Sequence, residues 1–142
     1  MVVSQGCVLC SIATGGEVAS FVYDNGGVIG LMSLDQPTSH KIIVAPRSHR
    51  ATIYDLSDEE ASSVFVAAVH IARAVRDVTG CAGLNVVQSN GEAGGQELQH
   101  FHLHLIPRNE GDDVILNWPS LEPERHRLDQ MAHEIRAAMK VS

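Results

Sequence analysis

Positive charge is scarce in this chain of 142 residues, which has ten Lys and Arg against seventeen Asp and Glu and a formal net charge of -7 at pH 7. This balance repels a phosphate backbone and argues against a protein that wraps DNA or RNA. A small anionic ligand remains compatible with it, because a few local groups suffice to hold one. We therefore expect no nucleic-acid partner, and any phosphate site has to be built locally.

Long hydrophobic runs are also lacking. The longest apolar stretch, residues 64–75, contains His70 and Arg73 and falls short of the ~18 residues that span a bilayer. The first residues lack the basic segment and the long apolar segment of a secretory signal peptide. These absences predict a cytoplasmic protein with no membrane partner.

Cysteine is rare as well: the chain has three, which cannot all pair with one another. Two of them form Cys7-x-x-Cys10, a spacing that suits a metal clip or a redox pair better than a disulfide framework. This usage fits a reducing compartment.

The composition itself is that of a globular protein, with 44% hydrophobic and 19% charged residues and a mean hydropathy of +0.01. The length is that of one ordinary domain, long enough to bury a substantial core. We therefore expect a single domain over residues 1–142.

Several short segments have the composition of β-strands. An Asn25-Gly26 turn between two β-prone runs predicts a hairpin, and Pro107 is expected to break the last strand. The predicted strands cover residues 20–24, 28–32, 41–45, 84–88 and 100–106.

Two helices are predicted. The first begins after Ser57, where Glu60 completes a capping box, and ends at Thr79-Gly80. The second covers residues 123–140. The apolar face of the first is formed by Val64, Ala68, Ile71, Val75 and Val78, and that of the second by Leu128, Met131, Ile135 and Met139.

Three histidines alternate at positions 100, 102 and 104. On a strand such residues share one face, so His100, His102 and His104 are expected to line one open surface. Their neighbours Phe101, Leu103 and Leu105 would then turn to the core. The alternative is a set of solvated histidines on an exposed strand.

A glycine-rich loop, residues 89–96, comes just before the histidines. Its glycines allow close approach of the backbone and can present N–H groups to an anion, while Asn90 and Gln96 add neutral donors. Phosphate is the natural ligand for such a loop. Alone, the loop could equally be a simple hairpin connection.

The segment 90–108, NGEAGGQELQHFHLHLIPR, resembles the glycine loop and the alternating histidines of the histidine-triad (HIT) family. Cys7-x-x-Cys10, the segment 40–46 and His49 fit the upstream part of that pattern, so that the resemblance covers residues 7–108. The C-terminal Trp118-Pro119 and helix are similar to bacterial, zinc-containing members. The resemblance implies an α+β, HIT-like fold, with an antiparallel sheet of about five strands and two helices per subunit, in a homodimer.

The implied activity is that of a hydrolase or transferase acting on the α-phosphorus of a nucleoside phosphate derivative, either a dinucleoside polyphosphate or a nucleoside phosphoramidate. His102 would be the nucleophile that forms a nucleotidyl-histidine, and His104 would contact the phosphate and help to protonate the leaving group. A neutral imidazole is nucleophilic near pH 7, and two displacements replace one harder step. No organic cofactor is expected. Further nucleotide contacts are expected from His40, Asn90, Gly95 and Gln96, with Ile29 and Leu31 packing on the base.

The resemblance also implies a structural zinc ion. Its ligands would be Cys7, Cys10, His49 and His100, a closed tetrahedral set without an open position. The alternative is a pair of free thiols on a loose terminus.

One position departs from the family pattern. Many members have an acidic residue eight positions before the histidine that matches His40, where it binds the ribose hydroxyls, and this chain has Met32 there. Asp35 replaces it only if the turn differs in length. The base preference, the leaving group and the cellular role stay open at this stage.

Two other functions compete with this one. In a metallohydrolase, His100, His102 and His104 would themselves hold a catalytic zinc. In a non-catalytic nucleotide-binding or interaction module, the histidines would bind without turnover.

Overall fold

The computed structural model describes residues 1–139, which form a five-stranded antiparallel sheet with helices on both faces. The strand order is β1-β2-β3-β5-β4. The strands are β1 (Phe21–Asp24), β2 (Val28–Met32), β3 (Ile42–Pro46), β4 (Gly83–Val87) and β5 (Leu103–Arg108). The helices are α1 (Val8–Ala13), α2 (Asp58–Thr79) and α3 (Arg125–Ala138), with short 3-10 turns at Ile53–Asp55 and Glu92–Gly94. The predicted α+β class is confirmed.

The predicted hairpin is formed by β1 and β2, and the side chain of Asn25 accepts hydrogen bonds from the backbone of Gly27 and Val28 in its turn. Pro107 was predicted to end β5. Instead it lies within the strand, opposite Leu84. The register of β3 with β5 extends only to Leu105. Pro107 therefore pairs with β4 alone. On the side of β3 the ladder has already ended, so the missing N–H of proline costs no hydrogen bond there.

Helix α2 has the predicted ends. Ser57 and Glu60 form the capping box, and Gly80 closes the helix in the left-handed conformation with φ +65°. The predicted apolar face is buried from Val64 to Val75, but Val78 is 73% exposed. The packed part of the face therefore ends at Val75, and the last turn extends beyond the core.

The core has two parts, one on each face of the sheet. Successive strand residues point to opposite faces, so Val28 and Val44 pack against α2 while Ile29 and Ala45 pack against α1. Gly30 lies close to α2, since a Cβ there would come within 2.7 Å of the Ile71 side chain. Helix α2 covers its face of the sheet along 22 residues, whereas α1 has only six. The face opposite α2 carries His104 and the cavity described below.

Helix α1 was not predicted, because the Cys7-x-x-Cys10 segment was interpreted only as a ligand motif. The Cys7 sulfur accepts a hydrogen bond from the Cys10 backbone and caps the helix. Helix α3 begins at Arg125, two residues later than predicted, and Lys140, the predicted end, lies outside the described residues. None of its side chains is buried, and Ile135 is 63% exposed. Within residues 1–139, no helix combines the length and the apolar character needed to cross a membrane.

Candidate active site and metal centre

The structure divides the three histidines between two sites. His102 and His104 line one cavity together, whereas His100, which lies three residues before β5 begins at Leu103, turns its ring to the thiols of Cys7 and Cys10. His100 is completely buried and His102 is 8% exposed, which makes the predicted open histidine surface wrong. The apolar neighbours Phe101, Leu103 and Leu105 are buried as predicted.

His102 and His104 form a close pair whose ring centroids are 4.7 Å apart at an interplanar angle of 78°. The Nδ1 of His102 lies 2.7 Å from the carbonyl oxygen of His100. Because a carbonyl only accepts, this contact places the proton on Nδ1 and leaves the lone pair on Nε2. Burial lowers the pKa of His102, with a smaller contribution from the charge of Lys41. The ring is therefore neutral near pH 7, as a nucleophile requires.

His104 is half-buried, and its Nδ1 has no hydrogen-bond partner among residues 1–139. Burial lowers its pKa to about 4, helped by the neighbouring His102 and Lys41. A buried polar atom without a partner is costly unless a ligand or water satisfies it. The pair thus offers a neutral nucleophilic nitrogen beside a ring with unused hydrogen-bonding capacity.

Both rings line a cavity of about 640 Å³, within the size range of small-molecule sites. One wall is apolar and comes from α1, two strands and the segment after the glycine loop. This apolar wall consists of Leu9, Ile12, Leu31, Ile43 and Leu98. Polar side chains also line the cavity, and we call Ser33, Asp35 and Lys41 its polar corner. The sequence analysis did not predict that α1 or Lys41 would line this cavity. Residues 8–13 were not expected to reach the histidines, and Lys41 was interpreted only as part of a strand.

Three of the expected nucleotide-binding residues, Leu31, Gly95 and Gln96, line this cavity, and three do not. Ile29 is completely buried in the core below it. His40 is exposed, and its ring contacts the hydroxyl of Ser39 at 2.6 Å. Asn90 accepts from the backbone of Ile53 and bonds to the Gln88 amide.

Met32 and Asp35 both line the cavity. The side chain of Asp35 is 88% exposed, and its carboxylate faces the Lys41 ammonium. A carboxylate is therefore present in the cavity wall three residues after the position where the family pattern has one.

The glycine N–H groups that were predicted to form an anion-binding nest are bonded within the loop. The backbone N–H groups of Gly94, Gly95 and Gln96 all donate to carbonyls of the loop itself. The Gln96 amide donates to the carbonyls of Ala51 and Leu98 and accepts from Gly91. Both of its N–H groups are used within the protein, so Gln96 shapes the loop and has none left for a ligand.

The four predicted metal ligands come together although they are far apart in sequence. The ligand atoms of Cys7, Cys10, His49 and His100 all lie within 4.8 Å of one another. The sulfurs of Cys7 and Cys10 lie 3.4 and 3.6 Å from Nδ1 of His100, and that of Cys10 lies 3.5 Å from Nδ1 of His49. With the usual zinc bond lengths, a tetrahedral site separates sulfur from nitrogen by about 3.6 Å. The donor set and its spacing fit zinc.

Neighbouring groups already hold these ligands in position. The Nε2 of His100 donates to the carbonyl of Pro46 at 2.8 Å and turns Nδ1 towards the thiols, a typical outer contact of a metal-binding imidazole. The Cys10 sulfur accepts from the Ser4 backbone. Burial raises the pKa of the Cys10 thiol, and a divalent cation would reverse that preference. The ring of His100 thus belongs to the metal-ligating group, and its backbone carbonyl holds the ring of His102.

The fold and the site together define an α+β protein with a paired-histidine cavity beside a Cys2His2 group. The sequence model of the HIT domain family matches residues 16–111 of this chain. The chain therefore belongs to the HIT family, as the sequence motif predicted.

Individual relatives agree with this assignment. The chain is 35% identical to "Protein hit" of Bacillus subtilis over 116 residues, 81% of this chain and 80% of that protein. It is 28% identical over 138 residues to adenosine 5'-monophosphoramidase HNT1 of Saccharomyces cerevisiae, covering 96% of this chain and 84% of the other.

Solved structures share the fold over nearly the whole chain. A HIT family protein from Bacillus anthracis superposes with a TM-score of 0.92 at 33% identity, covering 96% of this chain and 99% of that one. A Zn-bound histidine triad family protein from Mycobacterium smegmatis gives a TM-score of 0.74 at 26% identity, with 95% and 99% covered.

Proposed function

We propose that the protein is a nucleotide hydrolase or transferase that attacks the α-phosphorus of a nucleoside phosphate derivative through a nucleotidyl-histidine at His102. The observation that carries this proposal is the 2.7 Å contact between His102 Nδ1 and the His100 carbonyl, which leaves Nε2 as a neutral nucleophile. Both His102 and His104 line a cavity large enough for a nucleotide.

In the first displacement, Nε2 of His102 bonds to the α-phosphorus while the bond to the leaving group breaks. The leaving group departs with the bonding electron pair, and an amine leaving group takes up a proton from water as it goes. His104 stands 4.7 Å from His102, centroid to centroid, where it contacts the phosphate and assists that protonation. In the second displacement, water attacks the phosphorus and loses a proton to solvent, while the bond from phosphorus to Nε2 breaks; the electron pair returns to Nε2 and the nucleoside monophosphate is released.

The chemistry of two relatives supports this proposal. The yeast relative is named an adenosine 5'-monophosphoramidase, and a relative from Arabidopsis thaliana, 27% identical over 137 residues, is named adenylylsulfatase HINT3. Both names describe cleavage at an adenylyl phosphorus. The apolar wall of the cavity would receive the base, with Leu31 as a packing residue, and the two histidines would receive the phosphate. The zinc ion would have a structural role, because its four ligands leave no open position.

The test is incubation of the protein with adenosine 5'-monophosphoramidate, adenylyl sulfate and diadenosine tetraphosphate. We expect release of adenosine monophosphate from at least one of them, measured by chromatography. Binding of adenosine monophosphate without turnover of any compound would favour the non-catalytic binding module instead.

The geometry weighs against the alternative of a catalytic zinc on the three histidines. His100 turns its Nδ1 to the thiols of Cys7 and Cys10. Among residues 1–139, the only group of three or more clustered metal-ligating side chains is the one that contains those thiols. His102 and His104 are left as a pair without a third ligand.

We further propose that the protein is a homodimer that forms through α2 and a neighbouring strand. Phe65, Val66 and Val69 lie on α2 outside the core face and are 56%, 55% and 39% exposed. Strand β4 ends the sheet and carries Val86, which is 46% exposed. An apolar helix face beside a free strand edge suits a self-complementary interface.

Sedimentation at micromolar concentration should therefore show a particle of about twice the 15.3 kDa chain mass. Phe65→Asp should shift it to the monomer, because a carboxylate buried in an apolar interface lacks a partner. Val22→Asp is the matched control, since Val22 is 46% exposed on β1 at the opposite end of the sheet. A monomeric wild-type protein would rule out this dimer.

A further inference from the structure

The polar corner of the cavity contains a cation that the proposed reaction does not use. The Lys41 side chain is only 8% exposed, and its ammonium lies 3.6 Å from the carboxylate of Asp35, which is 88% exposed. At that distance the two charges attract but do not form a good hydrogen bond. Lys41 has three N–H donors, and among residues 1–139 its ammonium finds no closer carboxylate. The Lys41 side chain is thus buried along its length, and its ammonium faces the cavity without a close hydrogen-bond partner within residues 1–139.

The sheet register places this cation relative to the histidines. Lys41 precedes β3 by one residue and lies two residues before Ile43, which pairs with His104 across β3 and β5. Residues two apart on an extended chain share a face, and Lys41, Ile43 and His104 all line the cavity. Ile42 pairs with Leu105, and the same register continued by one residue places Lys41 beside Ile106. Lys41 therefore lies beyond His104, on the side away from His102. In-line displacement expels the leaving group on the side of phosphorus opposite the attacking Nε2 of His102, and Lys41 lies on the side of His104 that faces away from His102.

This inference rests on the proposed function and names its substrate class. We infer that Lys41 is a specificity residue that binds an anionic group on the leaving-group side of the α-phosphate. The enzyme then prefers nucleotidyl substrates whose leaving group is a sulfate or a phosphate over those that release a neutral amine.

The physical reason lies in the environment of the ammonium. A charge pair gains strength where water is excluded, and hydrogen bonds to charged groups are the stronger class. Asp35 neutralises Lys41 incompletely, because its carboxylate is largely solvated and solvent screens the pair. A neutral amine lacks the charge that the Lys41 ammonium attracts, so Lys41 stabilises the departure of an anion more than that of an amine.

The test compares kcat/KM for adenylyl sulfate and adenosine 5'-monophosphoramidate in the wild type, Lys41→Met and Asp35→Asn. We expect Lys41→Met to lower kcat/KM about thirtyfold for the sulfate and no more than about threefold for the phosphoramidate. Lys41→Arg should restore much of the difference. Asp35→Asn, which removes the competing carboxylate, should keep or increase the preference for the anion. An equal loss on both substrates would overturn the inference.

A binding measurement separates this inference from the proposed chemistry. In the His102→Ala background, the protein should bind adenosine diphosphate more tightly than the monophosphate, and Lys41→Met should remove at least about tenfold of that preference. An unchanged ratio of the two Kd values would overturn the role of Lys41. Failure of the wild-type protein to turn over any nucleotide would instead count against the proposed function, whatever the binding ratio.

Discussion

Replacing His102 with alanine is expected to lower turnover by about four orders of magnitude or more, while the protein stays folded and still binds nucleotide. The reason is that the proposed route passes through a bond from His102 Nε2 to phosphorus, and losing a covalent nucleophile removes the route itself. Fold and binding should survive because the ring lies at the cavity wall, with one hydrogen bond to the His100 carbonyl. Single-turnover kinetics and a nucleotide titration measure the two effects separately.

The control is His133→Ala, which removes a histidine from the exposed surface of α3 and should leave turnover unchanged. A second check is direct: the wild type, quenched during turnover, should carry a nucleotidyl group on His102 that mass spectrometry detects. Normal turnover by a well-folded His102→Ala protein would contradict the nucleophile assignment.

Much of the fold could be predicted because its signals are local. The Ser57 and Glu60 capping box, the Gly80 stop and the Asn25-Gly26 turn each depend on contacts between residues close in sequence. The exposure of Val78 could not be predicted, since the periodicity of a helix does not say where the packed sheet beneath it ends. The same holds for α3, whose apolar positions are correctly spaced but find no core within residues 1–139.

The residues of the candidate site could be predicted in part: the four metal-ligating side chains come together, but Ile29, His40 and Asn90 do not line the cavity. Alternation placed His100, His102 and His104 on one strand face, but β5 begins at Leu103 and the chain before it turns the first ring away. Lys41 could not be identified, because its place in the cavity depends on its register with β5 and on a wall supplied by α1. The donors of the glycine loop were predicted to be free, and only the three-dimensional structure gives their internal partners, such as the Ala51 carbonyl.

Removal of the metal is the second change expected to have a large effect. Zinc bound by Cys7, Cys10, His49 and His100 would join the N-terminal segment to the loop before β5, and metal that binds only the folded state adds its binding free energy to folding. Free zinc at a thousandfold excess over Kd stabilises by about 4 kcal/mol, which corresponds to about 10 °C in Tm for a domain of this size.

We therefore expect purified protein to contain about one zinc per chain by elemental analysis, and a strong chelator or Cys10→Ser to lower Tm by about 10 °C. The matched control is Cys81→Ser, since Cys81 is a free, half-buried thiol outside the metal group. Turnover should fall as well, because the carbonyl that orients His102 belongs to His100, whose ring is a proposed ligand. A protein with far less than one zinc per chain and a Tm indifferent to the chelator would show that the four side chains assemble without a metal. In that case the hydrogen bond from Nε2 of His100 to the Pro46 carbonyl would hold His100 in position without a metal, and with it the carbonyl that contacts His102.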